Sequence, residues 1–224
     1  CLRALGADVD IVAADAPLAG YRLVLVSNAT ISDPALAARL AGSDAHIVLF
    51  PRTGSRTAEA AIPDELPPGA LQRLIDVRVV RSESLPPGER LEAEAAIGSG
   101  PGGVPMIVES WRERIRSPIA PRALFADGWG FHYTCGRIHY INAIPTDGSL
   151  ERLLEEIVNE AGFVTRMLPI GVRLRRRGNL SFAFNHGPEP CVLDHTTGCP
   201  AGTPLLIGER RLAPAGVAAW RTGA

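Results

Sequence analysis

Two histidines, His132 and His139, lie on either side of Cys135-Gly136 in the stretch FHYTCGRIHYI (131–141). Glycine supplies the positive φ that a tight turn needs, so the stretch predicts a β-hairpin turning at Cys135-Gly136. In that register the histidines face each other, with Cβ atoms about 5 Å apart, near enough to share a metal ion. Zinc needs three or four ligands, however, and a cysteine in the turn points away from the strand faces. The expectation is a pair of surface histidines and no metal. Among the carboxylates, Glu109 stands alone in an apolar run, MIVESW, beside Trp111. A single carboxylate there reads as a rim or interface residue. No GxSxG is present, and no cysteine follows a buried strand, so neither a serine hydrolase nor an amidotransferase nucleophile is in place. GSGPGG (98–103) lacks the preceding strand and following helix of a phosphate cradle and reads as a plain loop. No cofactor is expected.

A second conspicuous cluster is arginine: Arg173, Arg175, Arg176 and Arg177 within GVRLRRRGNL. Val172 and Leu174 alternate with Arg173 and Arg175, so the arginines belong to the wet face of a strand. That face, as read from the sequence, has no interleaved aromatic on which a base could stack. All 23 basic residues are arginine, and the net charge is −1, which argues against a general polyanion binder. Nucleic acid is therefore not an expected partner.

The elements that must position these residues follow from periodicity. At 224 residues and 46% hydrophobic, the chain can bury one medium core or two small ones. No apolar run approaches the roughly 20 residues that span a bilayer. The four cysteines (Cys1, Cys135, Cys191, Cys199) form no CxxC pair and fit a reduced, cytoplasmic protein. DVDIV (8–12), RLVLVS (22–27) and HIVLF (46–50) read as buried strands. Between the last two lies a helix with Ser32 as cap, Pro34 in the first turn and Gly42 at the end. Strands separated by helices predict a parallel, doubly wound sheet. PRTGSRTAEAAIPDELPPG (51–69) is a long loop at a strand end, and ALQRLIDVRVV adds a helical turn and a strand. The 82–122 stretch has no clear period.

A helix over DGSLERLLEEIVNEAG is well marked, with Leu150, Leu153, Leu154, Ile157, Val158 and Ala161 on one face. Beyond it the period changes to two. Runs on either side of Arg177-Gly178-Asn179 predict a hairpin, and PLLIGERRLAPAGVAAWR adds further strands to an all-β module of about 55 residues.

The segments LRALGADVDIV…DAPLAGYRLVLVS and PRTGSRTAEAAIPDELPPGALQRLIDVRV…ESLPPGE resemble the trimerisation domain of glycoside hydrolase family 42 β-galactosidases. FADGWGFHYTCGRIHYINAIPTDG and LPIGVRLRRRGNLSFAFNHGPEP…LAPAGVAAWR are similar to the end of that domain and the small β-sandwich that closes those enzymes. The resemblance implies an α/β first domain over 1–165, flavodoxin-like and related to class I glutamine amidotransferases, then a β-sandwich over 166–224. It also implies a family first strand upstream of Cys1, self-association as a homotrimer, and two catalytic glutamates in an N-terminal (β/α)₈ barrel. A barrel takes about 250 residues; none of its eight units is here, so no residue of this chain inherits a catalytic role. The galactoside is then a partner only of the full enzyme.

Ligand sites in doubly wound folds gather at the carboxyl ends of strands. The loop after HIVLF holds that place, and Arg52 and Thr53 can hydrogen-bond a sugar hydroxyl. With Glu109 and Trp111 they form the expected wall of a galactoside pocket in the intact enzyme, the alternative being a structural loop at a subunit contact. The other reading, from a different class, is a stand-alone amidotransferase-like binding module lacking the catalytic cysteine.

Overall fold

The structure, a computed structural model, describes residues 1–95 and 105–222; GSGPGG lies outside the described residues. The chain divides into two compact units, one of Ala13–Leu150 and one of Cys1–Val12 with Glu151–Ala224.

The first unit is built on a mixed sheet of nine strands, β1 (Leu23–Val26) through β9 (Ala143–Pro145). Apolar β1 pairs in parallel with β2 (His46–Leu49), as the spacing predicts. Helix α1 (Pro34–Ala41) connects them and buries Leu36, Ala37 and Leu40. Its cap is Asp33, one residue later than expected: the Asp33 carboxylate accepts the Ala35 N–H at 2.8 Å, while Ser32 Oγ accepts the Ala70 N–H instead. β2 pairs in parallel with β8 (Ile138–Ile141), and there the parallel set ends.

Every other ladder is antiparallel. The path runs from β8 through β7 (Gly130–Cys135), β6 (Ala123–Phe125) and β4 (Leu91–Ala95) to β5 (Met106–Arg116) and β3 (Arg78–Ser84). β8 runs on into β9, and β9 pairs with β5. The hydrogen-bonded path through β5, β4, β6, β7 and β8 thus returns to β5, and the sheet curls into a half-barrel. The expectation of a sheet wound throughout with helices is corrected here. The described region is mostly β, because the described residues between β3 and β7 turn back in antiparallel strands, with no crossover helix among them. Leu40, Ile47, Leu49, Leu71 and Tyr140 are fully buried in the unit's core, each such apolar side chain contributing about 1.5–3 kcal/mol.

The second unit holds a four-stranded sheet in the order β10 (Val172–Arg177), β11 (Leu180–Asn185), β15 (Val217–Arg221), β13 (Leu205–Ile207). A two-stranded sheet of β12 (Cys191–Val192) and β14 (Arg211–Leu212) shares its core of Ala183, Leu193, Cys199, Leu212, Ala218 and Trp220. Helix α2 (Asp147–Glu160) ends at Gly162, whose φ is +76°; Leu153, Leu154, Ile157 and Val158 are buried, as its periodicity predicts.

DVDIV forms no strand. Its alternating carboxylates bind the β10 arginines: Arg175 Nη1 lies 2.6 Å from Asp8 Oδ1 and Nη2 2.7 Å from Asp10 Oδ1. The register also corrects the reading of the arginine face. Arg173 stands opposite Phe184 and Arg175 opposite Phe182, so aromatics are interleaved there after all. Arg176 and Arg177 remain exposed.

Candidate functional site

The loop after β2 packs over the middle of β5, and the contact is organised by a carboxylate. Trp111, Glu113 and Ile115 project from one face of β5, and Arg112 and Arg114 from the other. Glu113 is 2% exposed. Its Oε1 accepts the Arg52 backbone N–H at 2.8 Å and its Oε2 accepts the Tyr140 hydroxyl at 2.8 Å. The Glu113 backbone is fixed too: its N–H donates to the Asn142 carbonyl at 2.7 Å, and Asn142 Nδ2 donates to the Glu113 carbonyl and to the Gly130 carbonyl. Asn142, fully buried, sits where β8 passes into β9. Burial pushes the Glu113 pKa above the ordinary carboxylate range, and the Arg52 amide and Tyr140 hydroxyl work against that rise. Burial, followed by the charge of Glu113, also raises the Tyr140 phenol well above its usual range.

The loop itself has little freedom. Arg52 adopts a φ of +69°, a conformation that costs a non-glycine residue about 1 kcal/mol or more. Gly54 follows at φ +63°, and a Cβ there would lie 2.2 Å from the Pro68 carbonyl oxygen, so no other residue fits. The buried Thr53 hydroxyl donates to the Phe50 carbonyl at 2.6 Å, and Ser55 Oγ donates to the Arg52 carbonyl at 2.8 Å. With its backbone clamped, Arg52 sends its guanidinium outward, 5.6 Å from the centroid of the half-buried Trp111 ring.

Of the four residues expected to wall a pocket, the structure brings together Arg52, Thr53 and Trp111. Thr53 is fully buried, so its hydroxyl shapes the loop and faces no open space. Glu109 is exposed and paired with Arg90 at 2.7 Å. Sequence reading passed over Glu113, Tyr140 and Asn142. A signal for Glu113 was available in WRERIR: period-2 alternation puts it on the same face as Trp111 and Ile115. Nothing local marks Asn142, whose role exists only because β5, β7 and β9 meet.

The opposite face of β5 carries an ion network. Arg112 Nε lies 2.7 Å from Glu83 Oε2, Arg112 Nη2 2.8 Å from Asp127 Oδ2, and Arg114 Nε 2.9 Å from Glu83 Oε1. Burial acts to raise the pKa values of Glu83 and Asp127, but the arginine hydrogen bonds and charges prevail and hold both below their ordinary values.

The histidine hairpin turns one residue later than expected, at Gly136-Arg137, so His132 stands opposite Ile141 and His139 opposite Thr134. The histidines are diagonal neighbours on one face, with Nε2 of His132 3.1 Å from Nδ1 of His139. They are also buried, correcting the expectation of a surface pair. Burial, then the nearby His139 and Arg122, lowers the His132 pKa to about 3, so this ring is neutral. Cys135 is exposed. Among the described residues, no three His, Cys, Asp or Glu side chains gather where they could hold a metal ion, and no helix is long and apolar enough to cross a membrane.

The first unit is thus a mostly β fold whose curled mixed sheet holds a clamped loop over a buried glutamate. A sequence profile of the β-galactosidase trimerisation domain matches residues 1–163, and the chain belongs to that family. It is 41% identical over 219 residues to a β-galactosidase of Thermus thermophilus, covering 98% of this chain and 32% of that protein. A Haloferax lucentense β-galactosidase is 27% identical over 93% of the chain. The crystal structure of a β-galactosidase from the psychrophilic Marinomonas ef1 superposes with a TM-score of 0.85 at 32% identity, over 99% of this chain and 32% of that one. A β-galactosidase of the Antarctic haloarchaeon Halorubrum lacusprofundi gives 0.81 at 25% identity, over 100% of this chain and 34% of that one. The chain spans about a third of the length of the curated relatives it matches.

Proposed function

We propose that this chain is the non-catalytic, self-associating C-terminal part of a β-galactosidase, one that assembles as a homotrimer and hydrolyses terminal β-galactosides in carbohydrate metabolism. The observation that carries this reading is the match of 98% of the chain to about a third of a β-galactosidase, with the trimerisation profile over residues 1–163. It favours this reading over a stand-alone amidotransferase-like module. A retaining glycosidase needs two carboxyls about 5 Å apart at the reacting bond. Here Glu113 is engaged by Arg52 and Tyr140, Glu109 by Arg90, and Glu83 by arginines. Catalysis then belongs to another part of the protein.

The parallel set of β1, β2 and β8, with α1 as crossover, supports a flavodoxin-like kinship for the first domain. The profile's end at residue 163 supports a domain boundary between 165 and 166. Self-association has a physical motive in β1, which ends the ladder path of its sheet and offers an edge that recruits partners. Ile62 adds an apolar side chain 81% exposed in the loop after β2. In this reading Arg52 and Trp111 wall the galactoside pocket of the intact enzyme, Thr53 shapes their loop, and Glu109 lies at the rim. Asp8 and Asp10 match the charge of Arg175, which supports an interface without nucleic acid; no membrane partner is proposed. Four free thiols support a cytoplasmic location.

Light scattering of the purified chain across a hundredfold dilution should give three times 23.8 kDa. A persistent monomer would overturn the self-association reading. The chain should release no nitrophenol from nitrophenyl β-galactoside; turnover lost on Glu109→Gln or Glu113→Gln would overturn the non-catalytic one.

A further inference from the structure

We propose that Glu113 is a positioning residue for galactoside binding: it fixes the Arg52 backbone so that the guanidinium is presented beside Trp111 as a ready donor to sugar hydroxyls. The inference rests on the pocket reading of Arg52 and goes beyond it by naming what sets that side chain's place. Three observations carry it. Glu113 Oε1 accepts the amide of Arg52 itself, at 2.8 Å, from a strand 61 residues further along the chain. That amide belongs to a residue at φ +69°, a conformation an arginine holds only where its surroundings impose it. And the exposed guanidinium lies 5.6 Å from the indole centroid of Trp111, a residue two positions from Glu113 on the same face of β5.

The chemistry is consistent with a polyhydroxylated ligand. A guanidinium offers five N–H donors in a rigid fork, and it stands over the Trp111 indole, whose ring attracts it as a cation. Pre-fixing the Arg52 backbone removes ordering entropy that would otherwise oppose binding. Glu113 does this from beneath, out of reach of the ligand, because both of its oxygens are already occupied. It acts through Arg52 and needs no contact with the sugar.

The test is a double-mutant cycle on KM in the intact β-galactosidase proposed to carry this chain. Arg52→Ala should raise KM roughly tenfold with kcat unchanged, the scale of one charge-assisted hydrogen bond. Glu113→Ala should raise KM by the same factor, and the double variant should go no higher, because both changes remove one interaction. Glu113→Gln, which can still accept from the Arg52 amide, should return KM most of the way to the parent value. If Glu113→Ala does not fold, Glu113→Asp, one methylene shorter, withdraws the carboxylate from the amide and should give the same rise. Multiplying effects in the double variant, or a fall in kcat at constant KM, would mark Glu113 as a general stability residue and overturn the proposal. A KM unmoved by Glu113→Ala or Glu113→Asp while Arg52→Ala raises it would overturn the proposal and leave the pocket reading standing. A KM unmoved by Arg52→Ala would overturn the pocket reading and the proposal with it.

Discussion

The Glu113 centre and the arginine hairpin of β10 and β11 both join arginines to carboxylates on a β-sheet, yet they differ in what holds them. At Glu113 one carboxylate, 2% exposed, satisfies a backbone amide and a buried phenol. At the hairpin Arg175 and Arg177 meet Asp8 and Asp10, whose side chains are 37% and 39% exposed. Water competes for every partner in the second case, whereas in the first the Glu113 carboxylate and the Tyr140 phenol are both buried. A dense run of charge in a sequence therefore says little about energy, and a single inward-facing carboxylate says much.

The comparison is broken or sharpened first at Glu113. Glu113→Ala leaves the Arg52 amide and the Tyr140 hydroxyl without partners, and should lower stability by about 3 kcal/mol, partly offset by release of the buried charge. The midpoint of urea unfolding reads this out, and a loss under 1 kcal/mol would erase the distinction between the two regions.

Next in size is a pH effect at the buried histidine pair. His132 has a native pKa of about 3 against 6.5 when unfolded, so the unfolded state takes up the proton first. Stability should fall as pH drops from about 6.5 toward 3, by about 1.4 kcal/mol per pH unit for one proton. Glu113 has the opposite sign: its raised native pKa makes its own contribution more favourable as pH falls. Glu83 and Asp127, with lowered values, lose their contribution on acidification. Urea unfolding of His132→Gln between pH 7 and pH 5 should therefore show a flatter decline than the parent, worth about 2 kcal/mol at pH 5. Parallel declines would place the proton elsewhere.

Two smaller changes separate the backbone of the hairpin from its charges. Gly178, at φ +58° in the two-residue turn between β10 and β11, should cost about 1 kcal/mol when changed to Ala. Arg175→Ala should cost less, about 0.5 kcal/mol after solvent screening, and the difference should shrink in molar salt. Should Arg175→Ala prove the more damaging of the two, the charges and not the turn and core hold this hairpin.

Local pattern alone determined much of this protein. The apolar runs of β1 and β2, the periodic face of α2, and the alternation of β10 and β11 each appear where the residues require them, because each depends on a repeat a few residues long. The register of both hairpins was within one or two residues of legible: glycine marked the turn but not which pair it closes. Other features depended on partners far along the chain. DVDIV is strand-like in composition, yet a strand needs a neighbour, and its carboxylates found arginines instead. Ser32 and Asp33 are both good caps, and the amide of Ala70 decided between them. Glu113 was passed over, although alternation in WRERIR places it on the face of Trp111 and Ile115; its two donors come from Arg52 and Tyr140, on elements that meet only when the sheet curls and β9 joins β5. That closure is a tertiary event, and it turns an ordinary glutamate into the fixed point of the site.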